Sequence, residues 1–143
     1  MVEIPPHVKI RATITTGSVY YFTTENFSSK EPHYFIVLNR NPDTDILIVL
    51  VCIQSDINNV KQIRSGCPQE TLVEIAPSQY SDLKHDSIID CNYILEVSIE
   101  QLISKLSEGE LKLKTRLTAD IVERLKKGVM QSDVVADSVK TLL

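Results

Sequence analysis

Apolar and polar positions divide the chain into two textures. Residues 8 to 98 are rich in Val, Ile, Tyr, Phe and Thr and are interrupted by turn residues, whereas residues 99 to 143 contain no proline and space their apolar residues for helices. In the first part, VKIRATI (8–14) alternates weakly and reads as a strand or extended arm. SVYYFTT (18–24) is β-branched and aromatic, a strand composition. ENFSSKEP (25–32) is a polar loop in which Pro32 keeps Glu31 extended. Two apolar runs, 34–38 and 46–53, flank the turn-forming NRNPDTD (39–45), which predicts a hairpin. INNVKQIRSGCPQE (57–70) is a connection with a helical turn through Val60 and Ile63. TLVEI (71–75) is a short strand, PSQYSDL (77–83) a helical turn capped by Ser78, and DSIIDCNYILEVS (86–98) one or two strands.

The runs 34–38 and 46–53 do not alternate, so the strands they form must be covered on both sides. One cover is the interior of a barrel or sheet, and the other is helices or a second subunit. The C-terminal part supplies helices. Ser98 is placed to cap a helix with Ile99, Leu102, Ile103 and Leu106 on one face. A second helix starts at Thr118 and stripes Ile121, Val122, Leu125 and Val129. A third starts at Ser132 with Val135, Val139 and Leu142. Gly128 costs about 1 kcal/mol inside a helix, which predicts a break near 128–131. The expected fold is therefore mainly β: a single domain, 1–143, with a small, SH3-like antiparallel barrel core at 8–98 and a helical part at 99–143.

At 143 residues, with 43% apolar and 24% charged positions, the chain is of ordinary globular composition and can bury a sizeable core. Its longest apolar run, eight residues, is far short of the ~20 that span a bilayer. MVEIPPHVKIRAT has no basic region followed by an apolar stretch, so no signal peptide is expected. The three cysteines show no CxxC or Cys/His spacing, which reads as reduced thiols in a cytoplasmic protein. A net charge of -4 argues against a general nucleic-acid coat but leaves room for a local basic cleft.

Candidate chemistry gathers at strand ends. His33 begins one buried strand, and its imidazole suits acid–base work, although a strand-end histidine can equally be structural. Gln54 and Ser55 end the longest buried strand and can donate to a phosphate or base, or simply terminate it. Asp90 and Asn92 form a polar stop in IIDCNYI and share a strand face. A buried Asp90 needs a partner, either a neighbouring turn amide or His33. Arg40, Lys61 and Arg64 sit in connections, and a helical turn would present Lys61 and Arg64 together to a phosphate. His7, His33 and His85 lack ligand spacing, so no metal and no cofactor is expected.

The ordered stretches GSVYYF (17–22), PHYFIVLN (32–39), ILIVLVCIQS (46–55), TLVEI (71–75) and DSIIDCNYILEVSIEQL (86–102) resemble the MazF/PemK-like toxins of bacterial type II toxin–antitoxin pairs. The resemblance covers roughly residues 17 to 106. It implies an SH3-like barrel that forms homodimers, an antitoxin protein partner, and metal-independent cleavage of single-stranded RNA through attack of the 2′-hydroxyl on the adjacent phosphate. If the chain has that activity, the residues read above supply the candidates: His33, Ser55 and Asp90 for catalysis and Arg40, Gln54, Lys61, Arg64 and Asn92 for RNA contacts. The family's Arg-Pro pair is replaced here by Glu31-Pro32-His33, its strand-end Thr by Gln54, and a later Arg by Leu95. A second reading is thus a catalytically inactive barrel that binds a protein partner or nucleic acid.

Overall fold

The computed structural model describes residues 3–25, 27 and 31–143. Its centre is a seven-stranded antiparallel sheet. The strands are β1 (Val19–Phe22), β2 (His33–Val37), β3 (Ile48–Gln54), β4 (Leu72–Ile75), β5 (Ser87–Asp90), β6 (Leu95–Val97) and β7 (Leu111–Lys114). The path runs β4-β5-β3-β2-β1-β7, with β6 also paired to β3. Along one edge β3 pairs with β2, Phe35 facing Cys52. Along the other it pairs first with β6 at Ile48–Leu50 and then with β5 at Ile53–Gln54. The mainly β architecture with C-terminal helices is the one expected from the hydrophobic pattern.

Strand β3 is buried from Ile48 to Ile53, and its alternating side chains enter two separate cores. Val49, Val51 and Ile53 pack with Ile36, Leu38, Val73 and Ile89 beneath α4 (Ala119–Gln131) and α5 (Asp137–Lys140). Ile48, Leu50 and Cys52 pack with Phe22, Phe35, Val37 and Leu95 on the other face, under α1 (Pro6–Thr13) and α3 (Ile99–Ser107). Helices of this chain cover both faces, which answers the requirement set by the unbroken apolar run. At the hairpin turn the buried Asn39 donates to Asp45 (2.9 Å) and to the Leu47 carbonyl (2.8 Å), while its Oδ1 accepts from the Val49 amide (2.6 Å). This side chain replaces missing ladder bonds, and the strand starts only at Ile48, leaving Ile46 88% exposed.

Several elements differ from expectation. Residues 6–13 form a helix instead of a strand. Pro5 and Pro6 preset its first turn, and Ile10 with the following Ile14 drops one apolar stripe into the core beside α3. The connection after β3 does contain the expected helical turn, as α2 (Ile57–Ile63), capped by the Asp56 carboxylate accepting from the Asn59 amide, with Val60 buried but Ile63 exposed. Pro77–Tyr80 is a turn in which Gln79, not Ser78, bonds the Ala76 amide. The expected helical part, 99–143, contains β7, whose Leu111-Lys112-Leu113-Lys114 alternation is a strand period. The third helix is only Asp137–Lys140. Ser98 does cap α3, in a reciprocal box with Gln101.

Helix α4 runs through Gly128 to Gln131 without a break there. A Cβ at Gly128 would lie 2.8 Å from Cys91 Sγ and 2.8 Å from the Glu70 carbonyl oxygen, so this glycine is a close-packing contact. Gly128→Ala should therefore destabilise the fold by about 1–2 kcal/mol in urea unfolding, overpacking outweighing the helix gain of about 1 kcal/mol; a more stable variant would contradict this packing. Burial pushes the Cys91 thiol up to about 12, with nearby Asp90 adding to the effect, and burial also raises Cys52. Higher pKa means less thiolate, so at pH 8 a thiol reagent should label Cys67 rapidly and Cys52 and Cys91 only after unfolding.

Candidate functional site

The alternation that divides the core also divides the polar residues after it. Ile53 lies on the α4 face, Gln54 follows on the opposite face, and Ser55 returns to the first. Ser55 lines an open cleft of about 310 Å³, shared with His33, Tyr34, Tyr21, Lys84, His85 and Asp82. Gln54 lines a smaller one, about 170 Å³, with Phe27, Asn59, Arg64, Asp90 and Tyr93. Residues expected to converge on one site are thus distributed between two clefts.

The larger cleft is assembled from three parts. His33 and Tyr34 start β2, Ile53 lies near the end of β3 with Ser55 just after it, and Asp82–His85 belongs to the β4–β5 connection. That connection is anchored by the buried Tyr80 and Leu83, and Tyr80 donates its hydroxyl to the Thr115 carbonyl (2.7 Å). Tyr34 donates to the Asp82 carbonyl (3.3 Å), and Ser87 donates to the His85 carbonyl (3.0 Å). Burial first, then the neighbouring Tyr21 and Asp82, raises the Tyr34 phenol above its ordinary value, so it is a neutral hydrogen-bond donor at neutral pH. The His33 ring meets Phe27 edge-on at 4.9 Å. Its buried Nδ1 has no hydrogen-bond partner among the described residues. Lys84 and His85 are exposed at the cleft rim. The His33 ring packs with Phe27 on the sheet face opposite Tyr34, so the open cleft presents the His85 imidazole, an ammonium, a hydroxyl and two phenols, with His33 at its edge; such groups can transfer protons and hold an anion.

Asp90 does not pair with His33. Its Oδ2 accepts from Arg64 Nε (2.8 Å), and its Oδ1 accepts from the Asn92 amide (2.9 Å) and Asn92 Nδ2 (3.0 Å). The turn amide, one of the two partners open at the sequence level, is the one used. The hydrogen bond to Asp90 raises the Arg64 guanidinium above its ordinary value. Asn92 is buried, donating to Thr71 Oγ1 (2.9 Å) and accepting from Ser132 Oγ (2.7 Å). These bonds join the end of β5 to α2, to the 3-10 turn Gln69–Thr71 and to the end of α4, a structural network. Lys61 pairs with Glu74 (3.4 Å), so both α2 cations have carboxylate partners. Arg40 lies beyond the other end of β2 from His33, its amide donating to the Leu142 carbonyl (2.8 Å), and does not reach the cleft.

Sequence reasoning does not single out His85, Lys84, Tyr21 and Tyr34 as site residues. The cationic pair Lys84-His85 between Leu83 and Asp86 is the one signal for them, but spacing alone does not bring residue 85 to residue 33. Among the described residues no cluster of His, Cys, Asp and Glu is arranged to hold a metal ion, and no helix is long and apolar enough to cross a membrane.

No protein-family model and no curated protein sequence matches this chain. Its fold is similar to that of a chain in a solved structure described as an endoribonuclease in complex with its cognate antitoxin from a mycobacterial species. The TM-score is 0.51 at 12% identity, over 82% of this chain and 91% of that one. At this identity the likeness is one of fold.

Arg64→Ala strands the Asp90 carboxylate in a largely buried position and should cost about 2–4 kcal/mol in denaturant unfolding. A loss below about 0.5 kcal/mol, the range of exposed pairs, would contradict the network's structural role.

Proposed function

We propose that this protein is a toxin-type endoribonuclease that cleaves single-stranded RNA without a metal, in the cleft between the start of β2 and the end of β3. The observation that carries the proposal is the joint lining of that cleft by His33, His85, Lys84 and Ser55. The fold likeness to a chain from an endoribonuclease–antitoxin complex supports it. Cleavage needs a base for the 2′-hydroxyl proton, donors for the phosphate charge, and an acid for the leaving 5′-oxygen. His85 and His33, the latter with its ring turned from Phe27 into the cleft, serve as the acid–base pair, one taking the 2′-hydroxyl proton and the other giving one to the 5′-oxygen. Lys84 and the Ser55 hydroxyl hold the phosphate oxygens. The 2′-oxygen bonds to phosphorus as the bond to the 5′-oxygen breaks, leaving a 2′,3′-cyclic phosphate and a 5′-hydroxyl. Tyr21 and Tyr34, whose ring centroids are 4.5 Å apart, pack on each other and form a wall of the cleft.

Asp90 has no part in this step, because Arg64 and Asn92 occupy its oxygens outside the cleft. The homodimer and the antitoxin-type partner implied by the family resemblance belong to the same proposal. The second reading, a catalytically inactive barrel that binds a partner, draws on Glu31 and Asp82, which bring carboxylates to the cleft lining.

Purified protein incubated with a long unstructured RNA in the presence of a chelator should cut it. His33→Ala and His85→Ala should each slow cutting by about 100- to 10,000-fold, the range for removal of an acid–base group. Cleavage unchanged in both variants would overturn the assignment, and no cleavage by the wild type would favour the binding protein.

A further inference from the structure

Strand β7 is an edge of the sheet, paired only with β1. Its backbone takes no hydrogen bond on the other side among the described residues, so one row of donors and acceptors faces outward unpaired. The two faces of this edge differ. Leu111 and Leu113 stand opposite Phe22 and Tyr20, on the face of the core under α1 and α3. Leu111 is buried there, but Leu113 is 37% exposed. An open groove of about 410 Å³ lies beside Leu113, between β7 and the end of α1, and Ala12, Thr13, Tyr20 and Lys114 share its lining. Lys112 and Lys114 stand opposite Tyr21 and Val19, on the other face. Neither lysine belongs to an ion pair among the described residues.

We propose that the β7 edge accepts an extended acidic segment of another protein as an added strand, with apolar residues entering the groove beside Leu113 and carboxylates lying opposite Lys112 and Lys114. Three features of the edge select this occupant. An added strand brings backbone donors and acceptors at the spacing that the open row needs. Its side chains alternate between faces with the period of two that separates the leucines from the lysines. Opposite charges facing each other across a strand pair attract, and like charges repel. A second copy fails the last condition, because antiparallel self-pairing centred on Lys112 or on Leu113 sets lysine opposite lysine. RNA can neutralise the lysines, but it offers neither a strand backbone nor an apolar side chain for the groove. The surface lies outside the reacting groups of the cleft, and the proposal stands apart from the ribonuclease reading.

The test is fluorescence-anisotropy binding of two pools of labelled nine-residue peptides. One alternates Glu with Val, Leu or Phe, and the other has the same composition with its glutamates contiguous. The wild type is compared with Lys112→Glu/Lys114→Glu and, as control, with Lys126→Glu/Lys127→Glu on α4. Thermal melts check that each variant is folded. The wild type should bind the alternating pool about 10-fold more tightly than the contiguous one, and the β7 variant should lose about 10-fold, as expected for two reversed cross-strand charge pairs. An alternating pool with Lys in place of Glu should restore binding to the β7 variant, and the α4 control should match the wild type. Bound peptide should slow hydrogen exchange at the outward amides of β7, which a purely electrostatic contact would leave unchanged. Equal binding of both acidic pools, no loss in the β7 variant, or no binding of either pool would overturn the proposal. So would a 15-nucleotide RNA held through these lysines when the peptides are not. A dimer of the wild type alone, with the same amides protected, would assign the edge to a second copy instead. RNA cleavage, scored separately in the assay above, is independent of each of these outcomes.

Discussion

The burial of β3 on both faces is the constraint on which the rest of this structure depends. A strand apolar at every position from Ile48 to Ile53 needs two cores, and the chain builds one under α4 and α5 and another under α1 and α3. Each core sets the direction of the polar residues that end the strand. Ser55 emerges on one face and Gln54 on the other, and the two clefts follow from that divergence. The cleft chemistry is thus a consequence of strand alternation at a point where the apolar run stops.

The polar network at Asp90 is a second consequence. Strand β5 must leave β3 at Gln54 so that β6 can take the adjoining stretch of the same edge. The residues of that step, Asp90 to Asn92, are buried beneath α4. Their carboxylate and amide are satisfied by Arg64, Thr71 and Ser132. A carboxylate enclosed in this way is held by its partners and holds them in turn, which ties this junction of the fold together. The close approach of Gly128 to Cys91 belongs to the same junction.

Much of the fold is legible in the hydrophobic pattern. The non-alternating runs specify covered strands, NRNPDTD specifies the hairpin, and Ser98 marks the start of α3. Where pattern and structure part, tertiary contacts decide. The 8–14 segment is too weakly patterned for its period to settle the matter, and Pro5-Pro6 with a seat for Ile10 makes it helical. Leu111–Lys114 has a strand period, but the helical segments around it hide that signal. Of the residues lining the candidate cleft, His33 and Ser55 stand out in the sequence by their places at strand ends. Lys84, His85 and Tyr21 do not, because only the folded sheet and the anchored β4–β5 connection bring them alongside. Asp90, Asn92, Lys61 and Arg64 have the residue types of an RNA site, and their partners, invisible in sequence, are other side chains of this protein.

In this account two imidazoles and a lysine at the end of a doubly covered strand suffice for phosphodiester cleavage, with the RNA supplying its own nucleophile. The chemical identity of the product ends tests that claim most directly. RNA cut in the presence of chelator should carry 2′,3′-cyclic phosphate or its hydrolysed 3′-phosphate on one fragment and a 5′-hydroxyl on the other, as read by mass spectrometry. Fragments with 5′-phosphate and 3′-hydroxyl ends would mean that water, not the 2′-hydroxyl, is the nucleophile, and would contradict the account.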